Sequence, residues 1–381
     1  MNDHINRRGF LRDAAAAGLL LGAAGLPLQG MAQNKEKEKE EPVILYRTLG
    51  KTGLQMTILG YGAMRTSDPA VIRQAVDMGI NNIDTARGYM DGHNEEIVAK
   101  ALGDLRKKVV ITTKIRVGTK ERMNADIDAS LAALNTDYID ILLLHGLKRD
   151  EEVQNEEWIG LLQEAKKAGK VRFAGFSTHN NMSGTLRAAV KGGFFDVVLT
   201  AYNFKSEPDL TKAIAEAAKA GIGIIAMKTQ AGGYTDAAMG GLNPHQAALK
   251  WALDDQNVTC AIPAMVTFDQ LNENFSVMGS HLGWLDRKTL HRYGRVIDDR
   301  LCRFCNRCAD QCEHGVAISD IQRCLMYAEG YGDEALALSS YADLGREAGL
   351  SACRSCSGCT VTCPNGVNIT ANLQRAMQHF A

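Results

Sequence analysis

Eight short apolar runs, each ending in polar or glycine residues and each followed by an amphipathic stretch, constrain this chain more than any other feature. They cover Thr57–Ala63, Asn82–Ala86, Val109–Ile115, Tyr138–Gly146, Val171–Thr178, Asp196–Tyr202, Gly221–Lys228 and Val258–Ala264. Continuous apolar runs of this length suit strands buried on both faces, as in a parallel sheet covered by helices. The segments between them include Pro69–Met78, Ala125–Leu134, Trp158–Ala168, Pro208–Ala220 and Pro244–Leu253, with Asn243 placed as a cap before Pro244. Eight such units predict an α/β fold, a (β/α)8 TIM barrel. A doubly wound open sheet alternates too, but it carries a glycine-rich phosphate loop after its first strand. Leu59-Gly60-Tyr61-Gly62-Ala63-Met64 is a poor match to that loop.

In such a barrel, catalytic groups stand at the C-terminal ends of strands. Here strand two ends in Asp84 with Tyr89 close behind, strand three carries Lys114, and strand four ends in His145. A carboxylate, a phenol, an ammonium and an imidazole are therefore expected to converge. Singly, each has a structural reading: Asp caps a loop, Tyr packs, Lys snorkels and His is a bonded core residue. Together, at adjacent strand ends, they point to proton chemistry. A lysine inside an apolar strand is costly unless paired, and Asp84 is the expected partner.

From about Leu45 to Gly279 the chain resembles the aldo-keto reductase family, through Arg47-Thr48-Leu49-Gly50-Lys51-Thr52-Gly53-Leu54, Asp84-Thr85-Ala86 with Tyr89, Asn94-Glu95-Glu96, Lys114 and His145. The resemblance implies a tetrad that reduces carbonyls with a nicotinamide cofactor. Tyr89 would protonate the carbonyl oxygen, Lys114 would lower the Tyr89 pKa, Asp84 would hold Lys114 charged, and His145 would aim the substrate. It also implies NAD(P)-binding positions at Ser177, Met227, Lys228, Thr267, Glu273 and Asn274. Several family positions differ. Thr178 stands for an Asn, Leu199 for a Gln and Met227 for a stacking aromatic, while Ala264 and Gln270 stand for the cations that grip a 2′-phosphate, which argues against an NADP preference. Thr229–Asn243, rich in glycine, reads as a mobile lid or a plain surface loop.

Only one of the ten cysteines, Cys260, precedes residue 302. The rest include two runs of one spacing, Cys302, Cys305, Cys308, Cys312 and Cys353, Cys356, Cys359, Cys363, with matching cysteines 51 positions apart. The echo continues in Gly315-Val316-Ala317-Ile318-Ser319 and Gly366-Val367-Asn368-Ile369-Thr370, the mark of an internal duplication. Such runs are the bacterial ferredoxin signature for two [4Fe-4S] clusters, in which the fourth thiolate of each run crosses to the other cluster. Cys302, Cys305, Cys308 and Cys363 would hold one cluster, and Cys353, Cys356, Cys359 and Cys312 the other. Zinc and disulfides are the alternative readings, while Cys260 and Cys324 read as buried structural thiols. Asp320–Ala348, between the runs, reads as helical, so this unit is expected to be mainly α-helical.

The N-terminus, Asn6-Arg7-Arg8-Gly9-Phe10-Leu11-Arg12 followed by a mild apolar stretch and Gly30-Met31-Ala32, resembles a twin-arginine export signal. The expected organisation is a signal peptide over 1–32, a charged linker over 33–44, a barrel over 45–285 and a two-cluster ferredoxin-type domain over 286–381. A balance of 43 Lys+Arg against 44 Asp+Glu offers no basic surface for nucleic acid. These readings combine into an exported, periplasmic oxidoreductase acting on a small carbonyl or alcohol, with the clusters passing electrons to a partner. Two alternatives stand beside it: a binding or assembly module with structural clusters, and a cytoplasmic NAD(P)H-dependent carbonyl reductase.

Overall fold

A computed structural model of the chain describes residues 43–236, 239 and 243–380. The expected export signal and nearly all of the linker lie outside the described residues, as does part of the expected lid. The described residues form one compact unit.

It opens with a hairpin that the sequence reading did not anticipate, β1 (Tyr46–Thr48) against β2 (Gln55–Thr57), antiparallel. Arg47 fixes this hairpin beneath the barrel, its guanidinium donating to the carbonyls of Leu253, Asp255 and Val258 at 2.6–3.1 Å. Gly50, at φ +47°, lies so close to the backbone of Gly221 and Gly223 that a Cβ would come within 2.4 Å of both.

Eight parallel strands follow: β3 (Tyr61–Gly62), β4 (Asn82–Asp84), β5 (Val110–Ile115), β6 (Ile139–Leu144), β7 (Val171–Thr178), β8 (Val197–Ala201), β9 (Gly223–Met227) and β10 (Cys260–Ala261). Each pairs with its sequence neighbours. Parallel bridges Leu59–Ala261 and Gly62–Ala264 bring the two ends of the sheet together, the closure a (β/α)8 barrel requires. Every residue of β5, β6 and β8 is buried.

The helices alternate with the strands as the spacing predicts: α1 (Pro69–Asp77), α2 (His93–Leu102), α3 (Lys120–Ala133), α4 (Asp150–Val153), α5 (Glu156–Lys167), α6 (Met182–Gly192), α7 (Pro208–Lys219), α8 (Pro244–Asp254) and α9 (Phe268–Phe275). Local chemistry sets their starts. Asp68 accepts from Ala70 N ahead of Pro69, and Asn243 accepts from His245 N ahead of Pro244.

Beyond α10 (Trp284–Ile297) comes the cysteine-rich segment, with α11 (Ile318–Glu329), α12 (Glu334–Ala342), α13 (Gly345–Ala348) and α14 (Ile369–Phe380). It is mainly helical, as expected, and the stretch Asp320–Ala348 is divided among three helices. The duplication is visible in the fold: α11 and α14 are both 12 residues long and begin 51 positions apart. They share a small core in which Val316, Ile318 and Leu325 recur as Val367, Ile369 and Ala376. Among the described residues no helix is long and apolar enough to cross a membrane.

Candidate active site

Asp84 closes β4 and Lys114 lies in β5, so neighbouring strands present the two side chains together. Lys114 Nζ donates to Asp84 Oδ2 and to the Thr85 carbonyl, both at 2.6 Å, with the lysine 1% exposed. Burial pushes the Asp84 carboxyl up and the Lys114 ammonium down, and each charge opposes the shift of the other. Tyr89 follows β4 in a short turn whose next residues, Met90 and Asp91, take the left-handed conformation. Its ring meets the His145 imidazole edge-on at 5.7 Å, and the Lys114 ammonium stands 4.9 Å from its centre.

All four expected tetrad residues therefore meet, but one expected link is different. The ammonium donates to Asp84 and Thr85 and faces the Tyr89 ring instead of its hydroxyl. Burial, followed by the Asp84 charge and Tyr327, holds the Tyr89 phenol well above its ordinary value, with Arg323 opposing. The expectation that Lys114 lowers the Tyr89 pKa is thus not met in this arrangement. His145 is pushed down to about 3 by burial and by Lys114, Arg323 and other cations.

Beside the tetrad lies a cavity of about 460 Å³, within the usual size range of ligand sites. Asp84 and Tyr89 reach it, and so do four of the six expected nucleotide positions, Met227, Lys228, Glu273 and Asn274. Ser177 and Thr267 do not line it. The Ser177 hydroxyl accepts from Gly146 N at 2.9 Å, and Thr267 caps α9 by accepting from Gln270 N at 3.2 Å.

The far wall comes from the segment after the barrel. Tyr331 and its glycine neighbours line the cavity, and the Tyr331 ring stacks on Tyr327 at 5.3 Å. Loops at the C-terminal ends of five strands grip this segment. Arg65 bonds to Asp333 at 2.8 Å and to the Tyr331 carbonyl at 3.0 Å, and Arg116 bonds to Asp343 at 2.6 Å. Lys148 bonds to Asp320 at 2.7 Å, Asn180 takes a bond from Ser319 at 2.6 Å, and Lys228 donates to Tyr327 at 3.1 Å. The sequence reading missed Arg65, Arg323, Tyr327 and Tyr331. Arg323 and Tyr327, spaced i and i+4 on α11, were the available signal.

The cysteines of the two runs fall into two neighbourhoods. Burial raises the Cys302 thiol to about 12, and the sulfurs that add to the shift are Cys308, Cys305 and Cys363. Burial also raises Cys353, and there the contributing sulfurs are Cys312, Cys359 and Cys356. In the first loop, Phe304 N–H donates to Cys302 Sγ at 3.3 Å, and Phe304 and Asn306 adopt left-handed backbone. Among the described residues, no three His, Cys, Asp or Glu side chains are grouped as ligands of one metal ion. Cys260 and Cys324 are buried, as expected.

Residues 59–240 match the Aldo/keto reductase family. That stretch of the barrel is an aldo/keto reductase domain. Methylglyoxal reductase DkgB of Escherichia coli is 29% identical over 249 residues, covering 61% of this chain and 90% of that protein. Methylglyoxal reductase YeaE of Escherichia coli is 36% identical over 118 residues, and the match spans only 40% of its length. Among solved structures, the holo form of an aldo-keto reductase from Bacillus halodurans superposes with a TM-score of 0.57 at 22% identity, covering 66% of this chain and 96% of that one. An aldo-keto reductase from Klebsiella pneumoniae in complex with NADPH gives 0.57 at 24% identity, covering 66% and 95%. Both coverages leave about a third of the chain outside the shared barrel.

Proposed function

We propose that this chain is an exported oxidoreductase that interconverts a small carbonyl compound and its alcohol with NAD(P), and that its C-terminal segment carries two [4Fe-4S] clusters for electron transfer to a partner. The observation that carries the reading is the meeting of Asp84, Lys114, Tyr89 and His145 at the edge of a cavity lined by four expected nucleotide positions. The methylglyoxal reductases among its relatives and the NADPH complex of a structural neighbour support the substrate class and the cofactor.

A bound nicotinamide would supply or accept a hydride at the carbonyl carbon. The chain's own residues do the rest. Met227, Lys228, Glu273 and Asn274 hold the nucleotide, Tyr89 stands ready to exchange a proton with the substrate oxygen, and His145, kept neutral by its surroundings, orients that oxygen by hydrogen bonding. The loss of the usual phosphate-gripping cations, with Ala264 and Gln270 in their places beside the cavity, favours NAD over NADP.

The cysteine spacing is what supports the clusters. Cys302, Cys305, Cys308 and Cys363 would hold one and Cys353, Cys356, Cys359 and Cys312 the other, each exchanging single electrons. Cys302 packs against the barrel core whereas Cys356 and Cys359 are exposed, which favours the second cysteine set as the one that would meet an external partner. Export rests on the twin-arginine pattern alone, and N-terminal sequencing of protein from separated cell fractions tests it.

Anaerobic purification of the full chain tests the central reading. About eight irons and as many acid-labile sulfides per chain are expected, together with nucleotide-dependent turnover of methylglyoxal as the probe carbonyl. A preparation with iron but no turnover of any carbonyl or alcohol would favour structural clusters on a binding module, and a preparation without iron would remove the electron-transfer half.

A further inference from the structure

Helix α11 carries Arg323 to the loops that follow β6 and β7, where Asp320 accepts from Lys148 Nζ at 2.7 Å and from Asn180 Nδ2 at 3.3 Å. The Arg323 guanidinium bonds to the same Asp320 at 3.2 Å, so one carboxylate is shared by two cations. Its Nε is buried with no hydrogen-bond partner among the described residues, and so is Nδ1 of His179, the residue after β7. A buried donor on a charged group is costly to leave unmatched and is a place where a ligand atom is expected. Lys228, the residue after β9, lines the cavity with Asp84 and Tyr89. Among the described residues no carboxylate pairs with it, and its ammonium donates to the Tyr327 hydroxyl oxygen at 3.1 Å. The Arg323 guanidinium stands 5.7 Å from the centre of the same ring. The carboxylates that line the cavity are engaged, Asp84 with Lys114, Glu329 with Arg375 and Glu273 with Asn243. The Tyr327 end of the wall therefore carries unmatched positive charge.

The duplication supplies an internal comparison. Helix α14 is the counterpart of α11, and at the positions of Asp320, Arg323 and Tyr327 it carries Ala371, Gln374 and Gln378. Gln374 and Gln378 are exposed. The helix scaffold alone therefore does not call for an arginine and a tyrosine at these places. They occur in the copy that faces the barrel, and there they meet Lys228. The Lys228 and Arg323 charges outweigh burial and hold the Tyr327 phenol below its ordinary value, and both add to the burial that pushes His145 and His179 down. Their field thus reaches the imidazole beside Tyr89.

We propose that Arg323, Tyr327 and Lys228 form an anion subsite beside the tetrad, and that the substrate is an oxo acid, or the matching hydroxy acid, whose carboxylate binds there. This rests on the carbonyl–alcohol reading above and narrows its substrate class. Arg323 offers its unmatched Nε–H. Tyr327 accepts from Lys228, which leaves its own hydroxyl proton free to donate. An ammonium has three N–H bonds, so Lys228 keeps two beyond Tyr327, enough to serve both the nucleotide and a neighbouring carboxylate. Three donors suffice for the two oxygens of a carboxylate, whereas a phosphoryl group would bring a third oxygen and a second charge into a buried place. Charge-assisted bonds of this kind fix the orientation of a small substrate as well as its affinity. The subsite exchanges no proton with the substrate: Tyr89 remains the donor to the carbonyl oxygen, and Arg323, Tyr327 and Lys228 hold the other end of the molecule.

The test uses the full chain, purified anaerobically. Turnover with NADH is compared between glyoxylate and methylglyoxal, which set the same aldehyde beside a carboxylate or a methyl ketone. It is compared again between succinic semialdehyde and its methyl ester, which place the charge farther from the aldehyde. In wild type, kcat/KM should favour the acid about tenfold or more in at least one pair. Arg323→Gln should lower that ratio about tenfold, chiefly through the KM of the acid, and Arg323→Lys, which keeps the charge but not Nε, should lower it less. Calorimetry with the non-reacting carboxylates oxamate and succinate gives a readout free of turnover: at least one should bind wild type, and about tenfold more weakly to Arg323→Gln. No preference for the acid in either pair, or a ratio unchanged in Arg323→Gln, overturns the proposal. Tighter binding of inorganic phosphate than of either carboxylate overturns it too, and would assign the subsite to a phosphoryl group. Absence of turnover with every carbonyl would instead reject the carbonyl–alcohol reading. Carboxylate binding that depends on Arg323 would then still establish the subsite, and its absence would remove both.

Discussion

Tyr89 and His145 meet edge to face, and their environments suit them to the proposed roles of acid and orienting group. Burial keeps the phenol protonated through the neutral range, so it can donate a proton but seldom loses one to solvent. Tyr89→Phe removes that donor while keeping the ring contacts. Turnover should fall by about two to four orders of magnitude, with the melting temperature within a few degrees of wild type; unchanged turnover would exclude Tyr89 as the acid. His145 gives a second prediction. Its folded pKa of about 3 lies below the ordinary 6.5, so between those values the unfolded chain binds a proton that the folded chain does not. Stability should therefore decline as pH falls from 6.5 toward 3. Urea midpoints measured at pH 7.5 and 5.5 should differ less in His145→Asn than in wild type. The tetrad was legible in the sequence because each member ends or fills an apolar run. The direction of the Lys114 ammonium was not, since only the folded Thr85 carbonyl competes with the Tyr89 hydroxyl for it.

The strands and most barrel helices were legible for the same reason, that period and caps are local. The hairpin of β1 and β2 was not, because its stabilising bonds run from Arg47 to carbonyls more than 200 positions away. Asp320–Ala348 reads as helical from its apolar spacing, and the chain turns within it at Gly330 and Gly332. The reason is tertiary: at Gly330 a Cβ would stand 2.2 Å from the Gly232 carbonyl oxygen, so the end of α11 meets the barrel backbone to backbone. Gly330→Ala should push α11 away from the Gly232 loop and cost about 1–3 kcal/mol, the usual range for overpacking. Thermal unfolding of the variant should begin at lower temperature, and proteolytic cuts should appear first after residue 298. Equal resistance to protease in variant and wild type would show that this contact does not hold the helix.

The duplicated halves of the C-terminal segment bear unequal loads in the whole molecule. The half containing α11 faces the barrel and places Met326, Tyr327 and Ala328 in the barrel's own apolar core, while α14 packs against α11 from the other side. Gln322 of α11 and Asn372 of α14 bond across that interface at 2.5 Å. The cysteine loops sit at the N-terminal approach to each helix, so whatever fastens the thiols also fastens α11, and through α11 the wall of the cavity. If the thiols hold clusters, iron and nucleotide binding are coupled, because metal binding contributes directly to the folding of its site. Anaerobic chelation of iron should leave the far-ultraviolet signal of the barrel largely intact, open the segment after residue 298 to protease, and weaken NADH binding at least tenfold by fluorescence titration. A tenfold loss corresponds to about 1.4 kcal/mol, less than the removal of one well-packed aromatic residue costs, so a disturbed Tyr331 wall is sufficient to produce it. NADH binding that survives complete iron loss unchanged would mean that the barrel forms its cofactor site without the segment that covers it.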